Sequence, residues 1–152
     1  MTAEIAMILK QTLTENADMM IQEIDRMMEE DGVDKAIAVG RTQFQTIMKS
    51  ASNASCVEEL CLFISYQESK HQGWDTKCYS EKNKTQRTVA ENVIASLKLI
   101  TESVSKKCEE RIKSKELQVE SSDLRQIKLR IAEKFLGYLY WKATVVMQKR
   151  GG

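Results

Sequence analysis

Apolar side chains recur every three or four residues along most of the chain, a spacing that places them on one face of an α-helix. The pattern predicts five helices separated by polar breaks, at residues 3–30, 34–50, 55–73, 85–117 and 124–148. The first and the fourth are long rods with near-heptad spacing. We therefore expect an all-α bundle of about five helices, two or three of them long, forming one domain over residues 1–152.

The scarcity of turn-forming residues favours the same fold class. The chain has no proline and only six glycines, whereas sheet and sandwich folds need such residues at frequent turns. We therefore expect helices throughout and no strands. The predicted helix starts are Thr2, Asp34 and a capping box of Ser55 with Glu58, and the predicted helix ends lie at two glycines. These glycines are Gly32 and Gly73.

The last predicted helix is apolar on most of its sides. Its segment FLGYLYWKATVVM covers residues 135–147, and a helix of this kind is usually surrounded by others. Gly137 would allow a neighbouring helix to approach closely. We expect this helix either at the centre of the bundle or with half of its surface covered by another protein.

The helical pattern breaks at residues 66–84, YQESKHQGWDTKCYSEKNK. Basic side chains alternate here with aromatic rings, as in single-stranded nucleic-acid binding, where cations pair with phosphates and rings stack on bases. The candidate contact residues are Lys70, Trp74, Lys77, Tyr79, Lys82, Lys84 and Arg87. The same segment also fits an ordinary polar connector between helices, with Trp74 anchored in the core.

Charge is unevenly distributed although the net charge is only +1. Residues 1–33 carry two basic and eight acidic side chains, whereas residues 73–152 carry seventeen basic and ten acidic ones. This polarity indicates either two surfaces for two different partners or an acidic first helix that packs on the basic last helices of the same molecule.

Candidate catalytic and metal-binding residues are few. His71 is the single histidine, so any histidine-dependent catalytic arrangement must use it. It falls at a predicted helix end, where the helix dipole alone favours a cation. Zinc sites usually contain closely spaced cysteine pairs, which Cys56, Cys61, Cys78 and Cys108 do not form. We therefore expect no catalytic residues, no metal ligands and no cofactor, and hence no enzyme.

Targeting signals are not evident in the chain. Its first residues are amphipathic, unlike those of a signal peptide, and its longest apolar stretch is far shorter than the ~20 residues of a membrane span. We expect a cytoplasmic protein without membrane contact, whose cysteines remain reduced.

The segment EELCLFISYQ, at residues 58–67, is followed by Trp74 and a basic connector. Together with chain length and helical content, it resembles the small all-α subunits of type III CRISPR effector complexes. The resemblance implies a subunit that stacks along a complex and faces the guide–target duplex and the target strand without catalysis. Lys77, Lys82, Lys84 and Arg87 would then contact the nucleic-acid backbone, with Trp74 nearby.

Two functions follow as hypotheses. The first is a non-enzymatic interaction subunit of a multi-protein assembly that can contain RNA, and it touches single-stranded RNA or a guide–target duplex through the basic connector. The second is a helical protein–protein adaptor or regulator that acts as a homodimer without nucleic acid. The near-heptad spacing of two helices favours this hypothesis. Both require other protein subunits or a second copy as partners.

Overall fold

The computed structural model describes residues 1–36 and 38–151, and the side chains of residues 1–36 and 38–149. Helices account for 74% of the structure. The described residues form seven helices and one two-stranded hairpin, in the order α1 (Ala3–Glu15), α2 (Ala17–Glu30), α3 (Val33–Ala36), α4 (Arg41–Ser50), α5 (Val57–Ser69), β1 (Lys77–Ser80), β2 (Thr85–Thr88), α6 (Val89–Ser114) and α7 (Ser121–Gly151).

Helix α7 lies at the centre of the bundle, as its apolar sequence predicts. It packs mainly on α6 and α4, and it also contacts α1, α2 and α5. The side chains that it buries are Ile127, Ile131, Ala132, Phe135, Leu136, Leu139 and Ala143. The expectation for Gly137 is wrong within the molecule, because no described atom lies within 4 Å of a Cβ built at this position.

The predicted first helix is divided in two at Asn16. The backbone of Asn16 has φ −108° and ψ 11°, outside the helical region. Its side-chain amide donates to the carbonyl of Thr12 at 2.8 Å, and the ammonium of Lys107 donates to its side-chain oxygen at 3.0 Å. Such local bonds compete with the helical ladder and bend a helix. The seam of α1 and α2 nevertheless stays on one face, so both helices pack against α6 and α7.

The predicted second helix is shorter than expected. Asp34 does not cap it but lies within the one-turn helix α3, and α4 begins only after Gly40, whose backbone is extended. Ile37, assigned to the apolar face of this predicted helix, lies outside the described residues. The face of α4 is confirmed at Phe44 and Ile47, both of which are buried.

The predicted helix start at Thr2 is correct, whereas the predicted starts at Ser55 and Thr85 are wrong. The hydroxyl of Thr2 accepts the amide of Ile5 and caps α1 as predicted. The proposed Ser55–Glu58 box is not formed; α5 begins after Cys56, which makes no side-chain cap. Residue 85 does not start a helix, because residues 85–88 form a strand.

The capping box occurs instead at α6. The hydroxyl of Thr88 accepts the amide of Glu91 at 3.1 Å, and the carboxylate of Glu91 accepts the amide of Thr88 at 3.2 Å. This reciprocal pair satisfies two backbone donors that a helix start otherwise leaves free. It fixes the point where β2 passes into α6.

The hairpin contradicts the expectation of an all-α fold without strands. Strands β1 and β2 pair antiparallel, with Lys77 opposite Thr88 and Ser80 opposite Thr85. Residues 77–80 alternate between outward and buried side chains, which is the period of a strand rather than of a helix. The signal was present in the sequence, but its buried members are small: Cys78 and Ser80.

Gly73 holds the segment before the hairpin against the segment before α4. Its φ is +100°, and a Cβ at this position would lie 2.7 Å from both the carbonyl carbon of Ala38 and the amide nitrogen of Val39. Backbone atoms cannot move aside as a flexible side chain can. Glycine is therefore required here both by conformation and by space.

We expect Gly73→Ala to lower the free energy of unfolding by at least ~2 kcal/mol, because it adds a left-handed alanine to a backbone clash. Gly137→Ala is the matched control. It places the same methyl group in open space on a helix, so it should raise stability by ~0.5–1 kcal/mol. Urea unfolding followed by circular dichroism measures both, and equal effects of the two substitutions would contradict this account of Gly73.

Candidate functional site

The hairpin is attached firmly to the bundle at its base. The amide of Val89 donates to the carbonyl of Thr76 at 2.9 Å, and the amide of Ala90 donates to the carbonyl of Trp74 at 3.1 Å. At the far side, a Cβ on Gly32 would lie 2.5 Å from the carbonyl oxygen of Tyr79. The backbone at the junction of α2 and α3 thus approaches β1 closely, and the hairpin is held between α3 and α6.

The inward side of the hairpin is structural. Cys78 is buried, and burial raises the pKa of its thiol to about 11. A thiol of this kind stays protonated near neutral pH and is a poor nucleophile. Ser80 is buried as well and accepts the amide of Asn83 with its hydroxyl at 3.2 Å, which tightens the turn.

The hairpin displays most of the predicted contact residues to solvent, but not on one face. Arg87 is paired with the buried Cys78, so its side chain leaves the face of the ribbon opposite to that of Lys77 and Tyr79. Lys77, Lys82, Lys84 and Arg87 are all exposed, and the ring of Tyr79 is 54% exposed. Of the four cations, only Lys82 forms an ion pair with a described residue, at 3.5 Å from the carboxylate of Glu30. The structure therefore brings five of the seven candidate residues together on one small ribbon.

Trp74 does not belong to this surface. Its side chain is fully buried and packs against Phe44, with 5.1 Å between ring centroids and an interplanar angle of 58°. A ring in this position cannot stack on a base, so the anchoring interpretation of Trp74 is the correct one. Its indole nitrogen has no hydrogen-bond partner among the described residues, and the ring is held by apolar packing.

Lys70 also has a different setting from the hairpin residues. It caps the end of α5, and its ammonium lies 4.6 Å from the ring centroid of Tyr66. This cation–π contact pairs Lys70 with Tyr66, and both residues belong to the segment 66–84 in which the helical pattern breaks. Lys70 therefore belongs to the end of α5 and not to the hairpin. The exposed aromatic ring on the hairpin is that of Tyr79.

The side of the hairpin that faces α2 and α3 is balanced in charge. A groove of about 540 Å³ lies there, and three glutamates and three lysines line it: Glu29, Glu30, Glu81, Lys35, Lys77 and Lys82. A phosphate entering this groove would meet carboxylates as well as cations. The part of the ribbon that remains basic is the turn and β2, with Lys84 and Arg87.

His71 forms a pair with Asp75. The distance from Nδ1 of His71 to Oδ2 of Asp75 is 2.8 Å, and the two side chains are 79% and 41% exposed. The hydrogen bond from His71 lowers the pKa of Asp75. Two members of a hydrolytic triad are thus adjacent, but the imidazole stands in open solvent rather than in an enclosed cleft.

A partly buried polar network joins α2 to α6, and sequence reasoning did not find it. Arg26 donates to both carboxylate oxygens of Glu23, at 2.7 and 2.8 Å, and also to Asp31 at 3.1 Å. Ser96 of α6 donates to Glu23 at 2.7 Å. Because Glu23 is only 8% exposed, burial acts to raise its pKa, but the bonds from Arg26 and Ser96 outweigh burial and lower it.

Acidic and basic segments of the chain neutralise each other within the molecule. Glu15 of α1 pairs with Arg111 of α6, and Asp25 of α2 pairs with Lys142 of α7 at 2.9 Å. With the pair of Lys82 and Glu30, three acidic side chains of the first 33 residues meet cations of the last 80. The interpretation of internal packing is therefore correct for these side chains.

A second surface lies on α2 and α7. The sequence analysis allowed for a partner on the last helix but did not predict which of its residues remain exposed. Ile21 of α2 and Tyr138, Trp141 and Val145 of α7 line one shallow cavity of about 200 Å³. Trp141 is 65% exposed. Trp141 lies in the segment FLGYLYWKATVVM, whose apolar character was recognised in the sequence. A helix that is apolar on most sides does not indicate which of its side chains remain exposed.

The described residues contain neither a cluster of metal ligands nor a membrane-spanning helix. No three side chains of histidine, cysteine, aspartate or glutamate in that part of the chain are placed to hold a metal ion. The four cysteines are free thiols. None of the described helices has both the length and the apolar character needed to cross a bilayer.

Comparison of the chain with protein-family models, with curated proteins and with solved structures finds no match.

We expect Glu23→Gln to lower the free energy of unfolding by ~1–3 kcal/mol at neutral pH, because it weakens charge-assisted bonds in a buried site. The folded-state pKa of Glu23 is depressed, so its contribution is complete above the ordinary value of 4.5 and is lost as pH falls through the folded pKa. The difference between the parent chain and the variant, measured by urea unfolding from pH 7 to pH 3, should therefore shrink on acidification. Glu29→Gln, at an exposed position of the same helix, should change stability little at any pH.

Proposed function

We propose that the chain is a non-enzymatic interaction subunit of a larger assembly and that its hairpin contacts the backbone of a nucleic acid, either single-stranded RNA or an RNA-containing duplex. The observation that carries the proposal is the exposed group of Lys77, Lys82, Lys84 and Arg87 on a ribbon that two backbone bonds fix to α6. Three of these cations have no carboxylate partner among the described residues.

The geometry supports a role in positioning rather than in base recognition. Because the ribbon backbone is already ordered, a cation that meets a phosphate loses side-chain freedom but little backbone freedom, and Tyr79 offers one exposed ring for stacking. Phosphate contacts carry affinity and orientation but no sequence information. The subunit would therefore bind nucleic acid with little sequence preference and would rely on protein neighbours for its place in the assembly.

Among the described residues no reactive cluster is enclosed, and this fits a non-enzymatic role. Cys78 lies on the buried side of the hairpin with a raised thiol pKa, and the His71–Asp75 pair stands in solvent without a third group at hydrogen-bond distance among the described residues. Catalytic side chains usually meet in a concave site that limits access of water. The surfaces of this chain instead present groups suited to binding.

A second candidate function is a homodimeric adaptor that binds no nucleic acid. The exposed apolar residues of α2 and α7 favour it, because large contiguous apolar surface is typical of protein–protein contact. The two candidates use different surfaces, so each can be tested without the other.

We expect the chain to bind a fluorescent single-stranded RNA with an affinity that falls steeply as salt rises from 50 to 200 mM, as measured by fluorescence anisotropy. Replacing Lys77, Lys82, Lys84 and Arg87 together by alanine should weaken binding at least tenfold. The slope of log K against log salt should fall by about 3, since each lost phosphate contact contributes about 0.7.

A matched control removes the same number of charges elsewhere. Lys98, Lys106, Lys113 and Lys115 are exposed on or just after α6, and their replacement by alanine should leave the slope and most of the affinity intact. The proposal is overturned if both quadruple variants lose equal affinity, or if the parent chain binds neither single-stranded RNA nor an RNA duplex at 50 mM salt.

A further inference from the structure

Exposed apolar residues converge at one place on the molecule, which we call the α2–α7 face. It consists of Ile21, Tyr138, Trp141 and Val145 around the shallow cavity between the two helices. Ile21 is 42% exposed, Trp141 65% and Val145 44%. Met7, another large exposed apolar side chain, lines a cavity whose other described lining residues include no second exposed apolar side chain. The α2–α7 face is therefore the strongest candidate for contact with another protein.

The aromatic part of this face is held in a defined geometry. The rings of Tyr138 and Trp141 pack edge to face, with 5.9 Å between centroids and 62° between planes, and the ammonium of Lys134 lies 5.4 Å from the Tyr138 ring. Gly137 leaves open space beside them. A partner side chain could approach the backbone of α7 at this point, and a fixed exposed tryptophan is the type of residue that dominates interfaces.

The two edges of the face carry opposite charges. On the α2 side, Asp18, Asp25 and Glu29 lie at helical spacing from Ile21, and Glu29 also lines the groove beside the hairpin. On the α7 side, lysines lie at helical spacing from Tyr138 and Trp141, while Glu133 lines a cavity with residues of α1. These lysines are Lys134, Lys142 and Lys149. Asp25 and Lys142 pair across the groove at 2.9 Å. Asp18, Glu29, Lys134 and Lys149 form no ion pair with another described residue, so the outer charges of both edges remain open to a partner.

We propose that a second copy of this chain docks on the α2–α7 face and forms an isologous dimer. A two-fold axis that runs along the groove would place α2 of each copy over α7 of the other. The acidic edge of one copy would then face the basic edge of its partner twice, while Trp141 and Val145 pack around the axis. One surface thus supplies both halves of a complementary contact, which is the requirement for two-fold association.

Charge decides between a second copy and a nucleic acid at this face. A phosphate backbone that lay along α7 would also run beside the carboxylates of Asp18, Asp25 and Glu29, and like charges oppose such contact. A second copy meets each edge with its opposite. The dimer rests on the second candidate function, the homodimeric adaptor, and names the surface and the arrangement that it would use. It is independent of the function proposed for the hairpin, because it uses different residues and needs no nucleic acid.

The size of the face sets the expected strength of the dimer. Two adjacent helices are ~20 Å wide together, and twenty residues of α7 extend ~30 Å, so each copy contributes roughly 600 Å². Stable complexes bury about 800 Å² on each partner. We therefore expect a reversible dimer whose population rises with protein concentration.

The first test measures self-association of the full chain by sedimentation velocity at ~5–500 μM. The parent chain should shift from monomer to dimer across this range. Trp141→Ala should raise the dissociation constant at least tenfold, since it removes the central aromatic residue. Leu62→Ala is the matched control: Leu62 is 71% exposed on α5, and its replacement should leave the dimer unchanged.

The second test exchanges charges and does not depend on the fold of a single variant. A basic variant, Asp18→Lys with Glu29→Lys, makes both edges positive, and an acidic variant, Lys134→Glu with Lys149→Glu, makes both edges negative. Each variant alone should stay monomeric at concentrations where the parent chain dimerises. An equimolar mixture should form heterodimers, because each edge then meets its opposite charge.

Three results would overturn the dimer. The parent chain could remain monomeric at 500 μM, Trp141→Ala could self-associate like the parent chain, or the mixture of charge variants could stay monomeric. A monomer whose exposed Trp141 is quenched by single-stranded RNA would instead assign the face to nucleic acid. Loss of RNA binding by the hairpin variant leaves the dimer unaffected, so the failure of either proposal is distinguishable from the failure of the other.

Discussion

The constraint on which this fold depends is the apolar character of α7. Its central segment presents large apolar side chains on most sides, and the free energy of burying them is gained only if neighbours cover them nearly all round. Helices α1, α2, α4, α5 and α6 provide that cover. Five neighbours cannot close completely around one rod, and the stripe that they leave open contains Trp141 and Val145. The exposed apolar face is thus a geometric consequence of the way in which the core is built.

The hairpin depends on the same core through Trp74. Its ring is buried beside Phe44 of α4, and its backbone carbonyl accepts a hydrogen bond from the amide of Ala90 in the first turn of α6. A two-stranded ribbon is hardly stable alone in water; here it is tied to α6 at its base and lies against the end of α2 at Gly32. The backbone that carries its cations is therefore held in place, although it belongs to a segment of low apolar content. The buried aromatic ring gives rigidity to the candidate contact surface without taking part in it.

The helices that bury a wide apolar stripe were predictable from spacing, and the elements set by single polar residues were not. The seams of α6 and α7 follow the three- and four-residue pattern directly, whereas the break at Asn16 depends on bonds to Thr12 and Lys107 that exist only after folding. The hairpin was missed because Cys78 and Ser80 carry too little apolar surface to make alternation visible. Five of the seven candidate contact residues do lie together, since residues 77–87 are local in sequence. The burial of Trp74 and the exposure of the α2–α7 face depend on contacts between distant segments of the chain. The spacing of apolar residues does not predict such contacts.

The acidic surface of α2 lies between the two proposed binding surfaces and borders both of them. Glu29 and Glu30 line the groove beside the hairpin, while Asp18 and Asp25 edge the α2–α7 face. A two-fold axis along the groove between α2 and α7 keeps the direction of each helix, so it would bring the two hairpins to the same end of a dimer. Two basic ribbons at one end could engage one nucleic-acid strand at two points, and linked contacts of this kind strengthen binding without any new interaction. Dimerisation would then raise the affinity of the hairpins for a long strand but not for one too short to span both, because the second contact requires a continuous chain of phosphates between them.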